Sequence, residues 1–378
     1  MNIEAELARL FNFQSSNKLS KASEVVGQGG YLSFRRAVTI TREGSDQPLH
    51  IFIKWSDATR TELEQLQQVS THFCRTEVVF YGLTGPVLER VMEQYNIERV
   101  FPRAFGQKIS DKGTILVMED MTKQGFSLVD RKSFGIEQVY CVVRTLARLQ
   151  AAFWIARVNF NYSLDSVLFG RESPFSDGIR KSGVDLKEIL EQNTKYFFEN
   201  LHKHVPSHSD RELIQELVKK LIATLVADPM KGVPAFTDEP VGISHGDLWF
   251  SNFMFKGDGG SMICRLFDWQ FWDVSVFGLD LGLLMISSLS TEAMQEHVDK
   301  IPKEFYRTFK EIYESKTGNP VPFSEEAALD NMGHSLFSAL FWVIVTSGTL
   351  WESANVDVSS MLANVAFAIR TKRMKVHF

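Results

Sequence analysis

From Ile243 to Gln270 the chain allows one economical layout. A polar group, His245, Gly246, Asp247 and Asn252, lies between the apolar flanks Ile243 and Phe253-Met254-Phe255. Lys256-Gly257-Asp258-Gly259-Gly260 follows and is a strong turn signal. Then comes Leu266-Phe267-Asp268-Trp269-Gln270. The pattern reads as a loop, a strand, a tight turn and a returning strand. A hairpin of that kind brings Asp268 back beside Asp247 and Asn252, so the rest of the chain has to be arranged around it.

Two carboxylates and an amide make an oxygen-rich site of the kind a hard cation takes. Magnesium in phosphoryl transfer keeps one or two such protein ligands, with phosphate oxygens and water completing its shell. A carboxylate that is not a ligand is then placed to orient an attacking hydroxyl. His245 has no second His or Cys nearby at ligand spacing, so its expected role is a brace whose ring bonds loop backbone near Asp247. Asp280, in Gly278-Leu279-Asp280-Leu281, is expected to cap the next helix or to brace the same loop.

Upstream, Ile3, Leu7, Leu10 and Phe11 have helical spacing. Val25-Val26-Gly27-Gln28-Gly29-Gly30-Tyr31-Leu32-Ser33, then Phe34 to Thr41, reads as strand, glycine turn, strand. Glycines at 27, 29 and 30 would let backbone N–H groups approach phosphate without a Cβ in the way, and Ser33 could add a hydroxyl. Leu49 to Trp55 forms a strand with Lys54 near its end. Leu63, Leu66, Val69 and Phe73 mark a helix that continues past Glu77 to Phe80 and Tyr81. The order glycine turn, strand lysine, helix glutamate puts an ammonium on nucleotide phosphates with a carboxylate behind it. Glu77 is the chosen partner; Glu62 and Glu64, nearer the helix start, suit the surface. Phe105–Ile109 and Thr114–Met118 form a hairpin, and Met118-Glu119-Asp120-Met121 ends it where backbone groups can meet a purine edge.

Beyond residue 120 the chain turns helical. Val139, Val142, Val143, Leu146, Leu149 and Phe153 mark one long helix, and Leu213 to Leu225 another. Pro302 and Pro320-Val321-Pro322 are expected to break helices. The apolar stretch Leu336 to Val345 is too short to span a bilayer and reads as a buried helix. With 378 residues the chain suits two lobes, 1–120 and 121–378. A net charge of −5 speaks against nucleic acid as a partner. Three scattered cysteines, Cys74, Cys141 and Cys264, suit a reducing compartment, and no signal-peptide pattern opens the sequence, so a cytoplasmic location is expected.

Together these pieces resemble the protein-kinase-like superfamily in its small-molecule branch of aminoglycoside phosphotransferases and choline kinases. His245-Gly246-Asp247-Leu248-Trp249-x-x-Asn252 with Phe267-Asp268-Trp269-Gln270 is most similar to its ecdysteroid kinase-like subgroup, also described as the CHK kinase-like domain. The resemblance covers nearly the whole chain. It implies an α+β, two-lobed, protein-kinase-like fold, with a small N-terminal β-sheet lobe carrying one main helix and a larger helical C-terminal lobe. It implies ATP and Mg2+ as cofactors, Asp247 as the catalytic aspartate, and Asn252 and Asp268 as metal ligands. Lys54 then contacts phosphates and pairs with Glu77, Gly27, Gly29, Gly30 and Ser33 cover the nucleotide, and the backbone of Glu119 and Met121 holds adenine. Trp269-Gln270 in place of Phe-Gly, and no later Ala-Pro-Glu, set the chain apart from Ser/Thr/Tyr kinases. Gln150 stands where relatives often carry His, a position read as peripheral to the chemistry.

The expected function is phosphorylation of a hydroxyl on a small, largely apolar molecule, without nucleic acid, membrane or obligate protein partners. Two rivals remain at this level. A choline or ethanolamine kinase would use Trp249, Trp269, Trp272 and Asp273 as a cage for a cation. A catalytically silent binding protein would be expected to have lost one of Lys54, Asp247, Asn252 or Asp268, and all four are present. Aromatics such as Phe169, Tyr196, Phe197 and Phe198 are expected to be mostly core.

Overall fold

A computed structural model describes residues 19–23, 33–40, 47–56, 73–130, 134–159, 186–227, 240–347, 351 and 356–375. The expected N-terminal helix, the glycines at 27, 29 and 30, the helix start at 63–72 with Glu62 and Glu64, and Phe169 lie outside the described residues.

The fold is α+β. Its N-terminal part is a five-stranded antiparallel sheet in the order β1-β2-β3-β5-β4: Leu19–Ser23, Phe34–Ile40, Leu49–Trp55, Gly113–Glu119 and Ala104–Ser110. Alternation sorts its two faces. Val38, Ile40, Ile51, Ile53, Ile115 and Val117 form a small apolar cluster of their own. Lys54, Leu116 and Met118 alternate with these and face the other way. Leu116 and Met118 join a much larger core that runs from Val78 to Met374.

Residues 73–79 are helical, pass through a π-helical turn, Phe80–Thr84, and continue as α1, Gly85–Gln94. The spacing of apolar residues predicts this helix only as far as Tyr81. Proline lacks an N–H, and Pro86 falls in the first turn of α1, where none is needed. Just before it, Gly85 N–H reaches back to the Phe80 carbonyl, five residues away, which widens the turn without breaking the helix.

The C-terminal part is mostly helical. It contains α2 (Ile136–Asn159), α3 (Leu186–His204), α4 (His208–Ala227), α5 (Asp280–Ser288), α6 (Thr291–His297), α7 (Lys300–Thr317), α8 (Glu325–Thr346) and α9 (Val358–Arg370). Among the described residues side chains cap four of them: Ser207 accepts from Asp210 N, Ser290 from Ala293 N, Ser324 from Ala327 N, and Asp357 from Ser360 N. Pro302 does not break a helix. It lies in the first turn of α7, where the missing N–H has no intrahelical partner to lose. Pro320 and Pro322 do fall in the break between α7 and α8. Helices α2 and α8 are long and apolar enough to cross a membrane by length and composition, and both contribute to the main core.

Helix α5 crosses α8 at close range. A Cβ on Gly282 would lie 2.0 Å from the Ser335 carbonyl oxygen and 2.2 Å from its carbon, both backbone atoms. Gly282→Ala is therefore expected to push the two helices apart and lower stability by about 3 kcal/mol, measurable as a lower denaturant midpoint. An unchanged midpoint would show that the crossing has room for a methyl group.

Candidate active site

Two small ladders carry the site. Strands β6 (Val241–Ser244) and β9 (Asp273–Val276) pair antiparallel, and so do β7 (Phe253–Lys256) and β8 (Ile263–Leu266), the hairpin expected from the sequence. Both edges of that hairpin are occupied. Ser127 and Phe255 exchange two backbone hydrogen bonds of 2.9 Å, and Leu266 N–H donates to the Val100 carbonyl at 2.8 Å. Val100, ahead of β4, and Ser127, beyond the end of β5, thus hold the hairpin in place.

Strand β6 leads into His245-Gly246-Asp247. Its second edge is closed by side chains from α2: Gln150 donates to Ile243 O (2.6 Å) and accepts from Ile243 N (3.1 Å), while Trp154 Nε1 donates to Val241 O (3.0 Å). Gln150 therefore holds the strand that feeds the Asp247 loop, a structural task away from the Lys54–Asp268 cluster itself. No spacing pattern pointed to this contact, since it joins residues 93 positions apart.

The loop is built from backbone bonds. Asp280, at the start of α5, accepts His245 N–H at 2.8 Å and Gly246 N–H at 2.9 Å, one on each oxygen. It braces the loop, one of the two roles expected of it. Burial pushes its carboxyl up to about 6, against those two bonds. Gly246 has φ +80, and a Cβ there would lie 2.0 Å from the Phe271 carbonyl oxygen, so only glycine fits. His245 is fully buried; its Nε2 lies 2.9 Å from Phe267 O, and its Nδ1 accepts Asp247 N–H at 3.3 Å. These partners assign the proton to Nε2 and make the ring a neutral brace. Burial lowers its pKa to about 4, the Phe267 bond opposing.

A depressed imidazole pKa means that the unfolded chain takes up a proton first as pH falls. His245 thus contributes stability that is intact above about 6.5 and lost toward about 4. The stability difference between wild type and His245→Gln should shrink by roughly 3 kcal/mol over that window. Denaturant unfolding at several pH values measures it. A difference independent of pH would mean that the buried ring does not titrate in this range.

Asp247 and Asn252 are locked together. Asn252 Nδ2 donates to the Asp247 carbonyl (2.7 Å) and to its Oδ2 (2.9 Å), which leaves Asn252 Oδ1, near Ser251 Oγ at 3.5 Å, as its remaining acceptor. Burial, then the charge of Asp268, push the Asp247 carboxyl up to about 7. Asn252 O accepts Phe267 N–H at 3.1 Å, tying this loop to the one that carries Asp268.

Asp268 adopts φ +69, a left-handed conformation that Asp tolerates better than most residues. It pairs with Lys54 and with Arg35, the latter at 3.4 Å. Lys54 also pairs with Glu77 at 2.6 Å, and both are almost fully buried. Burial alone would favour neutral groups. Asp268 and Glu77 nevertheless hold the Lys54 ammonium above its ordinary range. Burial likewise opposes ionisation of Asp268, but Lys54 and Arg35 outweigh it and keep its carboxyl below the usual range. For Glu77, burial wins over Lys54 and its carboxyl is raised. The structure thus brings Lys54, Glu77 and Asp268 into one cluster, with Asp247 and Asn252 beside it. Arg35 was missed from sequence because it is legible only once β2 pairs with β3, which sets it opposite Lys54.

Aromatic packing fixes the cluster. Trp269, directly after Asp268, stacks on Phe80 at 4.0 Å with planes 3° apart and packs against His245 at 4.7 Å. Trp272 Nε1 donates to Thr76 O at 2.9 Å, and Phe271 meets Phe73 at 4.4 Å. Trp269 and Trp272 are buried, and Asp273 is buried with an oxygen accepting Val274 N–H. Of the four residues expected to form a cation cage these three are packed inside, while Trp249 is only partly buried.

At the crossing from sheet to helices, Glu119 is buried and its side chain accepts from Arg99 (2.6 Å), Arg103 N (2.9 Å) and Gln124 (2.6 Å). Its own N–H donates to Arg103 O at 2.9 Å, and the Met121 carbonyl accepts from Phe126 N. Ser33 Oγ is buried with no hydrogen-bond partner. Among the described residues no three His, Cys, Asp or Glu side chains form a closed metal cage.

A lysine tied to a helix glutamate, a loop aspartate tied to an asparagine, and a second aspartate returned by a hairpin, on this fold, define a kinase-like phosphotransferase. The chain belongs to the ecdysteroid kinase-like family, whose model matches residues 29–316, and so stands among the small-molecule phosphotransferases. No curated protein matches it in sequence. Similar solved structures include a microcompartment-associated aminopropanol kinase, 12% identical, with TM-score 0.47 over 98% of each chain. A Plasmodium vivax ethanolamine kinase is 12% identical, with TM-score 0.41 over 99% of this chain and 88% of that one. An aminoglycoside phosphotransferase from Streptomyces rimosus, in complex with ADP and streptomycin, is 11% identical, with TM-score 0.32 over 90% of this chain and 99% of that one.

Proposed function

We propose that the chain is an ATP- and Mg2+-dependent kinase that transfers the γ-phosphate to a hydroxyl of a small organic molecule of ecdysteroid, sterol or glucoside type. The observation that carries this reading is the buried Lys54, held between Glu77 and Asp268 with Asp247 and Asn252 alongside. The donor set fits the groups it would hold. Asp268 and Asn252 Oδ1 offer hard oxygens, and the unpartnered Ser33 hydroxyl suits a phosphate oxygen. A site with so few protein ligands is typical for Mg2+, which relies on phosphate and water for the rest.

The residues have separable tasks. Asp247 accepts a hydrogen bond from the acceptor hydroxyl and aims it. Asn252 keeps the Asp247 side chain in one orientation. Lys54 offsets charge on the phosphates, and Glu77 keeps its ammonium from collapsing onto other partners. Since the Glu119 N–H and the Met121 carbonyl are already paired, adenine would use the Glu119 carbonyl and the Met121 N–H. Mg2+, held by Asn252 and Asp268, would neutralise developing charge on the transferred group. Catalysis of this kind rests on positioning rather than on a strong base. Three buried free thiols suit a cytoplasmic enzyme, and no obligate protein partner is invoked.

The test is ADP release with a panel of sterols, glucosides, choline and ethanolamine, alongside a thermal shift with Mg-ATP. Turnover with a sterol or glucoside supports the reading. Turnover with choline alone would replace the acceptor, and no shift with Mg-ATP would restore a silent binding protein.

A further inference from the structure

The reading above gives Arg35 no task, yet Arg35 is built into the site. It lies in register opposite Lys54, so cross-strand geometry puts both side chains on the same face of the sheet. Ser33, two residues earlier, shares that alternation, and its hydroxyl is buried without a hydrogen-bond partner. Arg35 Nη2 reaches Asp268 Oδ2 at 3.4 Å, while Lys54 takes Oδ1. Both oxygens of the proposed metal ligand are therefore contacted by cations. A dication arriving alone would meet a guanidinium and an ammonium at the carboxylate it needs. A nucleotide brings phosphate oxygens, and a guanidinium fork binds these well.

We propose that Arg35 is a phosphate-released latch on Asp268: without nucleotide it covers Oδ2, and with nucleotide it turns to the phosphates and frees that oxygen for the metal. The idea rests on the ATP and Mg2+ reading. It goes further in making metal and nucleotide binding mutually dependent through one side chain on β2. By linkage, whatever factor the nucleotide adds to metal affinity, the metal adds to nucleotide affinity. Lys54 cannot serve as this latch, because Glu77 anchors it at 2.6 Å. Arg35 is about a quarter exposed at its side chain, whereas Lys54 is almost fully buried.

The experiment uses the full chain and two probes, Mn2+ followed by electron paramagnetic resonance, and ADP followed by calorimetry without metal. Mn2+ alone should bind wild type weakly. In Arg35→Met, Mn2+ alone should bind about tenfold more tightly and metal-free ADP about tenfold more weakly. Both constants unchanged within about twofold would overturn the latch. Should Arg35→Met not fold, Arg35→Lys carries the test. It keeps the charge but loses the fork, so ADP affinity should hold within about threefold while Mn2+ affinity rises. Unchanged Mn2+ affinity there overturns the proposal. A wild type that binds neither ADP nor Mn2+-ADP would instead overturn the nucleotide reading, so the two failures are distinguishable.

Discussion

An Asp247→Asn variant should lose roughly 10²- to 10⁴-fold in kcat while binding Mg-nucleotide as wild type does. Asparagine keeps an oxygen for the Asn252 amide, so the bond at 2.9 Å and the shape of the loop survive. On the proposed reading it could not accept a proton from an attacking hydroxyl, and it would remove the charge that aims that hydroxyl. Calorimetry gives the nucleotide affinity, and single-turnover ADP formation gives the chemical step. A variant that turns over at the wild-type rate would remove Asp247 from the catalytic role.

Lys54→Met should be the most destabilising exchange at the site, by about 3 to 5 kcal/mol at neutral pH. Methionine keeps most of the volume but leaves Glu77 buried with no cation, while Asp268 retains Arg35. The loss should depend on pH. Burial already raises the Glu77 carboxyl with Lys54 present, and removing the ammonium raises it further. A carboxyl whose folded pKa lies above its unfolded value contributes stability at low pH that is lost as pH rises through the folded pKa. The variant should therefore recover part of its deficit on acidification, as chemical denaturation at pH 7 and pH 5 would record. A deficit equal at both would mean that Glu77 finds another partner or water.

Local chemistry was legible in the sequence where it is carried by neighbours in the chain. The turn at Lys256–Gly260 forced the hairpin, and the hairpin forced Asp268 toward Asp247. Glu77 was chosen over Glu62 and Glu64 by its place along the helix, and Lys54 meets it. His245 was read as a brace because it lacked metal-ligand company, and its ring does bond loop backbone. What could not be read depends on pairing at long range. Arg35 needs the register of β2 on β3, and Gln150 needs the packing of α2 on β6. The continuation into α1 was missed because Gly85-Pro86 is a breaker signal, and the π-turn absorbs it. The tryptophans after Asp268 were offered as a ligand cage because sequence does not tell an aromatic that faces a ligand from one that faces a core.

The stack of Trp269 on Phe80 has a consequence for how such an enzyme can be controlled. Many switches work by letting a helix swing or a loop invert, and each needs two packings of similar energy. Here the helix bearing Glu77 is fastened to the residue after Asp268 by two indoles, and swinging it out would strip Trp269 and Trp272 of their partners. The placement of Glu77 beside Lys54 and Asp268 is therefore tied to that packing from the moment the chain folds.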